Sequence, residues 1–315
     1  MMQIHCLPLP VPFATETVNT YLIKGDTLTL IDTGTKTEAT RQALVHQLAQ
    51  FGYEIKDIET VVLTHHHADH SGLLGDFGDR TNVVGHPLNE PWITQNAAFI
   101  QKYERFSASL ARELGVPKAF IEKGLSLTNT LKLACKRSLT RSVCEGDEIA
   151  ELPGFRVIET PGHASTHIAL YRERDGIMIG GDVLLARISS NPLLEPPYED
   201  GEREKPLLAY NQSLRRLAEM PISRIMTGHG EDVIEVGKLV RERLQKQQKR
   251  AEQVLQMLKE RPMTAFEVCQ ALFPGIYQKQ LALTISETVG QLDFLEYNQK
   301  VKVDSVSGVL IYQSR

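Results

Sequence analysis

The chain has little cysteine, and what it has is scattered. Cys6, Cys135, Cys144 and Cys269 form no C-x-x-C pair. That spacing argues against a disulfide framework and a structural zinc site. It predicts reduced thiols, mostly core fillers, in a cytoplasmic protein. No run of about 18 apolar residues occurs, so no membrane span is expected. Residues 1–12 have no basic stretch and are broken by Pro8, Pro10 and Pro12, which does not read as a signal peptide. Charge of one sign is also missing. The formal net charge is −4 with acids and bases interspersed, so the composition demands neither a nucleic-acid nor a membrane partner. Internal repeats and low-complexity segments are absent. What is present is enough apolar sequence for a sizeable core, over 315 residues, a length that suggests about two domains.

Residues 18–23 and 27–31 read as strands about the turn Gly25-Asp26. Asp32-Thr33-Gly34 turns the chain. Thr35 and Glu38 then have capping-box spacing before a helix that runs to Phe51 and is ended by Gly52. Residues 58–63 are short, apolar and β-branched, a buried strand, and 82–85 read as another. Residues 91–135 show helical periodicity and many charges, a helical insertion placed to lie over a site. Strands at 155–160, 168–172 and 176–179 follow, then a Pro-rich loop at 191–206, a helix at 207–220 and a strand at 222–226. The order strand, strand, helix, strand occurs twice, which predicts an α+β fold, an αββα sandwich of two sheets with helices outside. Beyond 231 a long charged helix runs to about Glu260 and is stopped by Pro262. Helices at 264–273 and 279–295 and a hairpin about Ser305-Val306-Ser307-Gly308 then make a small winged-helix domain. The expected division is 1–230 for the catalytic domain and 231–315 for a linker helix and winged helix.

The chemistry is concentrated in Thr64-His65-His66-His67-Ala68-Asp69-His70, five metal-capable side chains in six positions. Divalent metals take imidazole and carboxylate at about 2.0–2.2 Å. A strand that empties into a loop lets His65 and His67 converge, and Asp69 and His70, in the next helix, face a neighbouring point. Burying so many polar groups without a partner would be costly, and coordination removes that cost. Three later residues share a strand-end context: His163 after Pro161-Gly162, Asp182 after Gly180-Gly181, and His229 after Gly228. Glycine permits the sharp bend and close approach such an edge needs. The expected assignment is His65, His67 and His163 on one metal, Asp69, His70 and His229 on the other, and Asp182 between them. His66 lies between two inward residues and is not expected to ligate. His5, His46 and His86 read as ordinary polar residues.

These pieces resemble the metallo-β-lactamase superfamily. The T-H-x-H-x-D-H run at 64–70 looks like its signature. Leu30-Ile31-Asp32-Thr33-Gly34, Thr160-Pro161-Gly162-His163, Gly181-Asp182 and Gly228-His229 are similar to its other motifs, in the same order, across residues 18–231. The resemblance implies a di-metal hydrolase core in which Asp32 orients a ligand; a plain turn or helix-entry Asp is the competing reading. Flavo-diiron oxygen reductases of this fold typically carry Glu where His67 stands, so His67 points to hydrolysis. Antibiotic-degrading members usually carry Cys where Asp182 stands, so the site resembles the glyoxalase II, lactonase and ribonuclease branches.

The expected cofactors are two divalent metals, zinc first, with iron or manganese also suited to these donors. Asp69 and Asp182 are the expected catalytic carboxylates, accepting hydrogen bonds from a metal-activated water. Tyr198, Arg203, Lys205, Tyr210 and Arg215 lie near the expected substrate region, and solvated surface or helix packing is the plainer reading of each. Three functions compete. One is hydrolysis of a small-molecule thioester or ester, with the winged helix shaping the site or forming a homo-oligomer contact. Another is a single-strand-specific endoribonuclease whose winged helix contacts RNA. The last is a metal-sensing DNA-binding regulator. The helix at 279–295 ranks them: it has one Lys against Glu287 and Asp293, and Leu281, Ile285, Val289 and Leu292 recur at a packing period, so it lacks the basic stripe of a phosphate reader.

Overall fold

The computed structural model describes residues 3–124, 127–199 and 201–315. Residues 125–126 of the expected insertion and residue 200 of the expected loop lie outside the described residues. The first sheet runs in the order β1 (Gln3–Pro10), β2 (Thr17–Lys24), β3 (Leu28–Ile31), β4 (Thr60–Val62), β5 (Asn82–Gly85), β6 (Arg141–Ser142). Its first three strands are antiparallel and β3 to β6 are parallel. Sequence pattern missed β1 because Pro8 and Pro10 cannot donate to a ladder. The strand is tolerated because it is at the sheet edge. The second sheet holds β7 (Phe155–Glu159), β8 (Ile168–Arg172), β9 (Ile177–Gly181) and β10 (Arg224–Thr227) in the order β10-β9-β8-β7. β8 is antiparallel to both neighbours and β10 is parallel to β9, so β7, β9 and β10 all end at one edge.

Alternation along the strands sorts the core into layers. Ile31, Val62 and Val84 point between the sheets and meet Val157, Leu170 and Ile179. Their neighbours Leu30, Val61 and Val83 face outward to Leu44 and Leu48 of α1 (Glu38–Ala49). On the far side, Ala169, Met178 and Ile225 meet Leu214 and Leu217 of α7 (Pro206–Glu219) and Val240 of α8 (Val236–Glu260). This is the expected αββα order. One local expectation fails. Thr37, not Thr35, caps α1, accepting from the Thr40 amide at 3.2 Å. Thr35 is wholly buried and shares a hydrogen bond with the Thr40 hydroxyl instead.

Between β4 and β5 stands the short α2 (Ala68–Ser71). The insertion forms α3 (Glu90–Ile93), α4 (Ala97–Glu113), α5 (Lys118–Gly124) and α6 (Thr128–Lys132). After α8 come β11 (Met263–Thr264), α9 (Ala265–Leu272), α10 (Leu281–Tyr297), β12 (Val301–Val306) and β13 (Val309–Ser314), the strands in the order β11-β13-β12. Ala111, Leu114 and Val116 of the insertion share one apolar cluster with Val254, Phe266, Ile285 and Val289. The insertion and the C-terminal elements therefore have a common core. The cysteines are all free; Cys135 and Cys269 are buried, whereas Cys6 and Cys144 are exposed and fill no core. Among the described residues no helix is long and apolar enough to cross a membrane.

Candidate metal centre

Each strand end delivers one group. β3 stops at Asp32, whose φ of +59° is a left-handed conformation that Asp adopts more readily than most residues. β4 leads into Thr64–His67 and α2 carries Asp69 and His70. β7, β9 and β10 lead to His163, Asp182 and His229. The donor atoms of His65, His67 and His163 all lie within 4.8 Å of one another, as do those of Asp69, His70 and His229, and those of His65, His70 and Asp182. Asp182 stands between the two sets. Its carboxylate oxygens are 3.5 Å from His70 Nε2, 3.5 Å from His163 Nε2 and 3.3 Å from His229 Nε2. His229 Nε2 is also 3.4 Å from Asp69 Oδ2, and His65 Nε2 is 2.9 Å from His67 Nδ1. Two ligands bound at about 2.1 Å with angles of 90–110° lie roughly 3–3.5 Å apart. The seven expected residues thus meet at ligand-to-ligand spacing.

The hydrogen bonds fix which ring nitrogen is left over. His163 Nδ1 donates to the Asn191 carbonyl at 3.0 Å, His229 Nδ1 to the Thr17 carbonyl at 2.6 Å, and His70 Nδ1 to Asp32 Oδ2 at 2.8 Å. Thr64 Oγ1 gives its only hydrogen to Asp32 Oδ2 at 2.7 Å, so it accepts from His65 Nδ1 at 3.0 Å. The Nε2 of four imidazoles therefore faces inward. Asp32 also accepts from the Thr64 amide at 2.8 Å, which favours the orienting reading of this residue over that of a turn.

Among the described residues, His70 Nε2, His163 Nε2 and Asp182 Oδ1 are buried without a hydrogen-bond partner. Orphaned atoms of this kind need a reason, and a cation at their meeting point is one. Electrostatics agrees. Burial and neighbouring imidazoles hold His65 well below its usual range, and burial with His163 brings His67 down to about 3, so both rings are neutral, the form that ligates. Burial opposes charge on His229, but Asp182 and Asp69 outweigh it and push the ring up to about 10. Carboxylates that hold a proton on a buried ring mark a place that demands positive charge. Gly228 leaves room for it: a Cβ there would lie 2.2 Å from Asp182 Oδ1 and 2.9 Å from His70 Cε1. The donor set, orphaned atoms and cradle all fit divalent metal ions.

His66 faces away from this point. Its Nδ1 pairs with Thr166 Oγ1 at 3.0 Å, its ring stacks on Trp92 at 4.1 Å, and its Nε2 is 3.8 Å from Glu195. Donor atoms of His66, His67 and Glu195 nonetheless gather within 4.8 Å, as do those of His86, Cys144 and Glu159 at a more exposed place. Sequence reasoning missed three residues here. His167 is buried, pairs with Thr160 Oγ1 at 2.7 Å and accepts from the Asp182 amide at 3.0 Å, fixing the backbone of that residue. A second histidine four places after His163 was its only signal. Trp92 and Glu195 gave none, lying far from the cluster in sequence. Burial pushes the Glu195 carboxyl up to about 7. Of the polar residues near the expected substrate region, Arg203 pairs with Asp293 at 2.6 Å and Lys205 with Glu296 at 3.0 Å. Tyr210 is buried, Arg215 is exposed, and the Tyr198 hydroxyl accepts from Trp92 Nε1 at 2.6 Å.

The comparisons agree with this geometry. The family model described as Metallo-beta-lactamase superfamily matches residues 15–229. The probable metallo-hydrolase YqjP of Bacillus subtilis is 49% identical over 299 residues, 95% of this chain and 94% of the relative. The crystal structure of the metallo-beta-lactamase family protein TTHA1429 from Thermus thermophilus superposes with a TM-score of 0.83 at 30% identity, covering 99% of this chain and 98% of the other. A beta-lactamase domain protein from Burkholderia ambifaria has the same fold, with a TM-score of 0.81 at 23% identity over 99% and 92% of the two chains. Full coverage by these two structures means that the elements beyond residue 229 are shared as well. The chain belongs to the metallo-β-lactamase superfamily and is a metal-dependent hydrolase.

Proposed function

We propose that this hydrolase cleaves a small-molecule thioester or ester with two divalent metal ions, zinc first among them, held as in the glyoxalase II branch. His65, His67 and His163 hold one, Asp69, His70 and His229 the other, and Asp182 both. The observation that carries the reading is the inward Nε2 of four histidines around the Asp182 carboxylate. Bound there, the metals would acidify water and polarise an acyl oxygen. The protein's own groups do the rest. Asp32 holds the His70 ring and His167 holds the Asp182 backbone, so the donors are fixed before substrate arrives. Asp69 has a side chain 15% exposed against 7% for Asp182 and is the carboxylate open to an entering substrate. It accepts the proton of the attacking water and returns it to the leaving group. The His66–Trp92 stack lies against the His67 ring.

The C-terminal elements have the order of a winged helix. The burial of α10 supports a small molecule over RNA as substrate. Leu281, Ile285, Val289 and Leu292 are buried, and so are Glu287 and Asp293, in ion pairs with Arg250 and Arg203. A helix packed on most sides has no face for a groove or a strand of phosphates. Metal analysis of the purified protein together with thioester, lactone, phosphodiester and RNA panels tests the reading. The expected result is two metals per chain and turnover of thioester or ester, with both lost in Asp182→Ala and His67→Ala. Salt-dependent RNA binding and RNA cleavage without thioester or ester turnover would replace it.

A further inference from the structure

A cavity lies between the insertion and the C-terminal elements. It offers about 420 Å³ of space, solvent at its mouth included. Leu110, Leu114, Val116, Leu194, Leu281 and Ile285 line it. Its polar groups are already engaged: Ser107 hydrogen-bonds Tyr103, and Ser286 Oγ accepts from the Leu194 amide at 3.3 Å. Such a lining offers an entering molecule apolar surface and little else.

Two separate chains of contacts link the walls of this cavity to the metal centre. The first is the segment 191–195. Asn191 accepts from His163 Nδ1 at 3.0 Å, and the Leu193 amide donates to the His163 carbonyl at 3.4 Å. Asn191 Nδ2 donates to the Leu283 carbonyl at 3.0 Å, Leu194 lines the cavity, and Glu195 reaches His66. The second is aromatic. Tyr103, on the cavity wall, packs against Trp92 at 5.5 Å between ring centroids, and Trp92 stacks on His66. Residues of the cavity wall thus touch residues that flank the site.

We infer that this cavity between α4 and α10 receives the aliphatic acyl chain of the substrate. The inference rests on the thioester or ester reading and gives it a substrate class. The thiol carriers of metabolic thioesters are polar, so the apolar half of such a molecule is its acyl chain. Its carbonyl sits at the metal centre and its chain runs past segment 191–195 into the cavity. Each methylene moved from water to this lining should raise kcat/KM about fourfold until the space is full.

Two measurements test this. In the first, acyl thioesters of one small thiol, from acetyl to octanoyl, are assayed with the metal-loaded enzyme. The wild type should gain roughly 250-fold in kcat/KM over the first four added methylenes. Ala282→Phe and Ser107→Phe, which fill the cavity from opposite walls, should flatten that gain and leave acetyl turnover unchanged. In the second, octanoate is titrated calorimetrically into metal-free protein. Binding should be seen in the wild type and lost in both variants. A wild-type rate indifferent to chain length, or octanoate binding that is absent or equal in all three proteins, would overturn the inference. Should no ester or thioester of any length be hydrolysed, the proposed function falls, while the octanoate titration still decides the cavity.

Discussion

At the scale of single residues, the site is organised by what each side chain's second atom touches. A histidine offers a lone pair inward only when its other nitrogen is held, and Asn191, Thr17, Asp32 and Thr64 do the holding. Glu195 shows the opposite case, a buried carboxyl poorly provided for. Among the described residues Oε1 has no hydrogen-bond partner, and Oε2 has long contacts to the Ser165 amide at 3.4 Å and the Tyr198 hydroxyl at 3.3 Å. Burial raises the group from 4.5 to about 7. The folded state therefore binds this proton more tightly than the unfolded chain. Its contribution to stability is full below the unfolded value and is lost as pH rises through the folded one. In metal-free protein, Glu195→Gln should match the wild type near pH 4 and exceed it near pH 8, by on the order of 3 kcal/mol. Urea unfolding of both proteins across this range is the check, and parallel stability curves would refute it.

Among the elements, the helices outside the sandwich do more than cover it. α8 sends Arg243 into the loop that follows β9, where Nη2 donates to the carbonyls of Leu185, Ala186 and Ile188 at 2.9, 3.2 and 3.0 Å. The same loop returns through Ser190, whose hydroxyl bonds the Asp182 carbonyl. A C-terminal helix thus sets the seat of Asp182. Arg243→Met should lower stability by about 3 kcal/mol, because three carbonyls, that of Leu185 buried and the other two partly so, lose a charged donor. It should also speed metal loss to a chelator, with Arg243→Lys intermediate. Unchanged metal retention would break the link between α8 and Asp182. Elements were mostly legible in the sequence where period and punctuation agreed. β3 and β9 were apolar runs ended by Asp or Gly, β4 was one that ran into the histidine cluster, and α10 carried its packing period. β1 was hidden because its prolines contradict strand propensity, and the α1 cap was misplaced because Thr35 and Thr37 both have the right chemistry and only burial separates them.

For the whole molecule, the clusters cross the expected division near residue 230. Val233, Val236 and Val240 pack on the second sheet, and the insertion shares its core with α8, α9 and α10. Two parts that bury each other's apolar surface unfold together. Scanning calorimetry of the metal-free chain should therefore show one cooperative transition; two resolved transitions would show that the parts are energetically independent. The sequence by itself determined the kind of chemistry. The donor types, five of them in six positions, and the glycines at the strand ends are local features, and a metal's demand for imidazole and carboxylate can be read from them without a fold. Only the tertiary structure decided how those donors are held, which added His167, Trp92 and Glu195, and where a substrate chain has room. The physical reason is distance along the chain. The partners of His229, His163 and Asp182, and the two walls of the cavity, come from segments far apart in sequence, and no local period records which of them will meet.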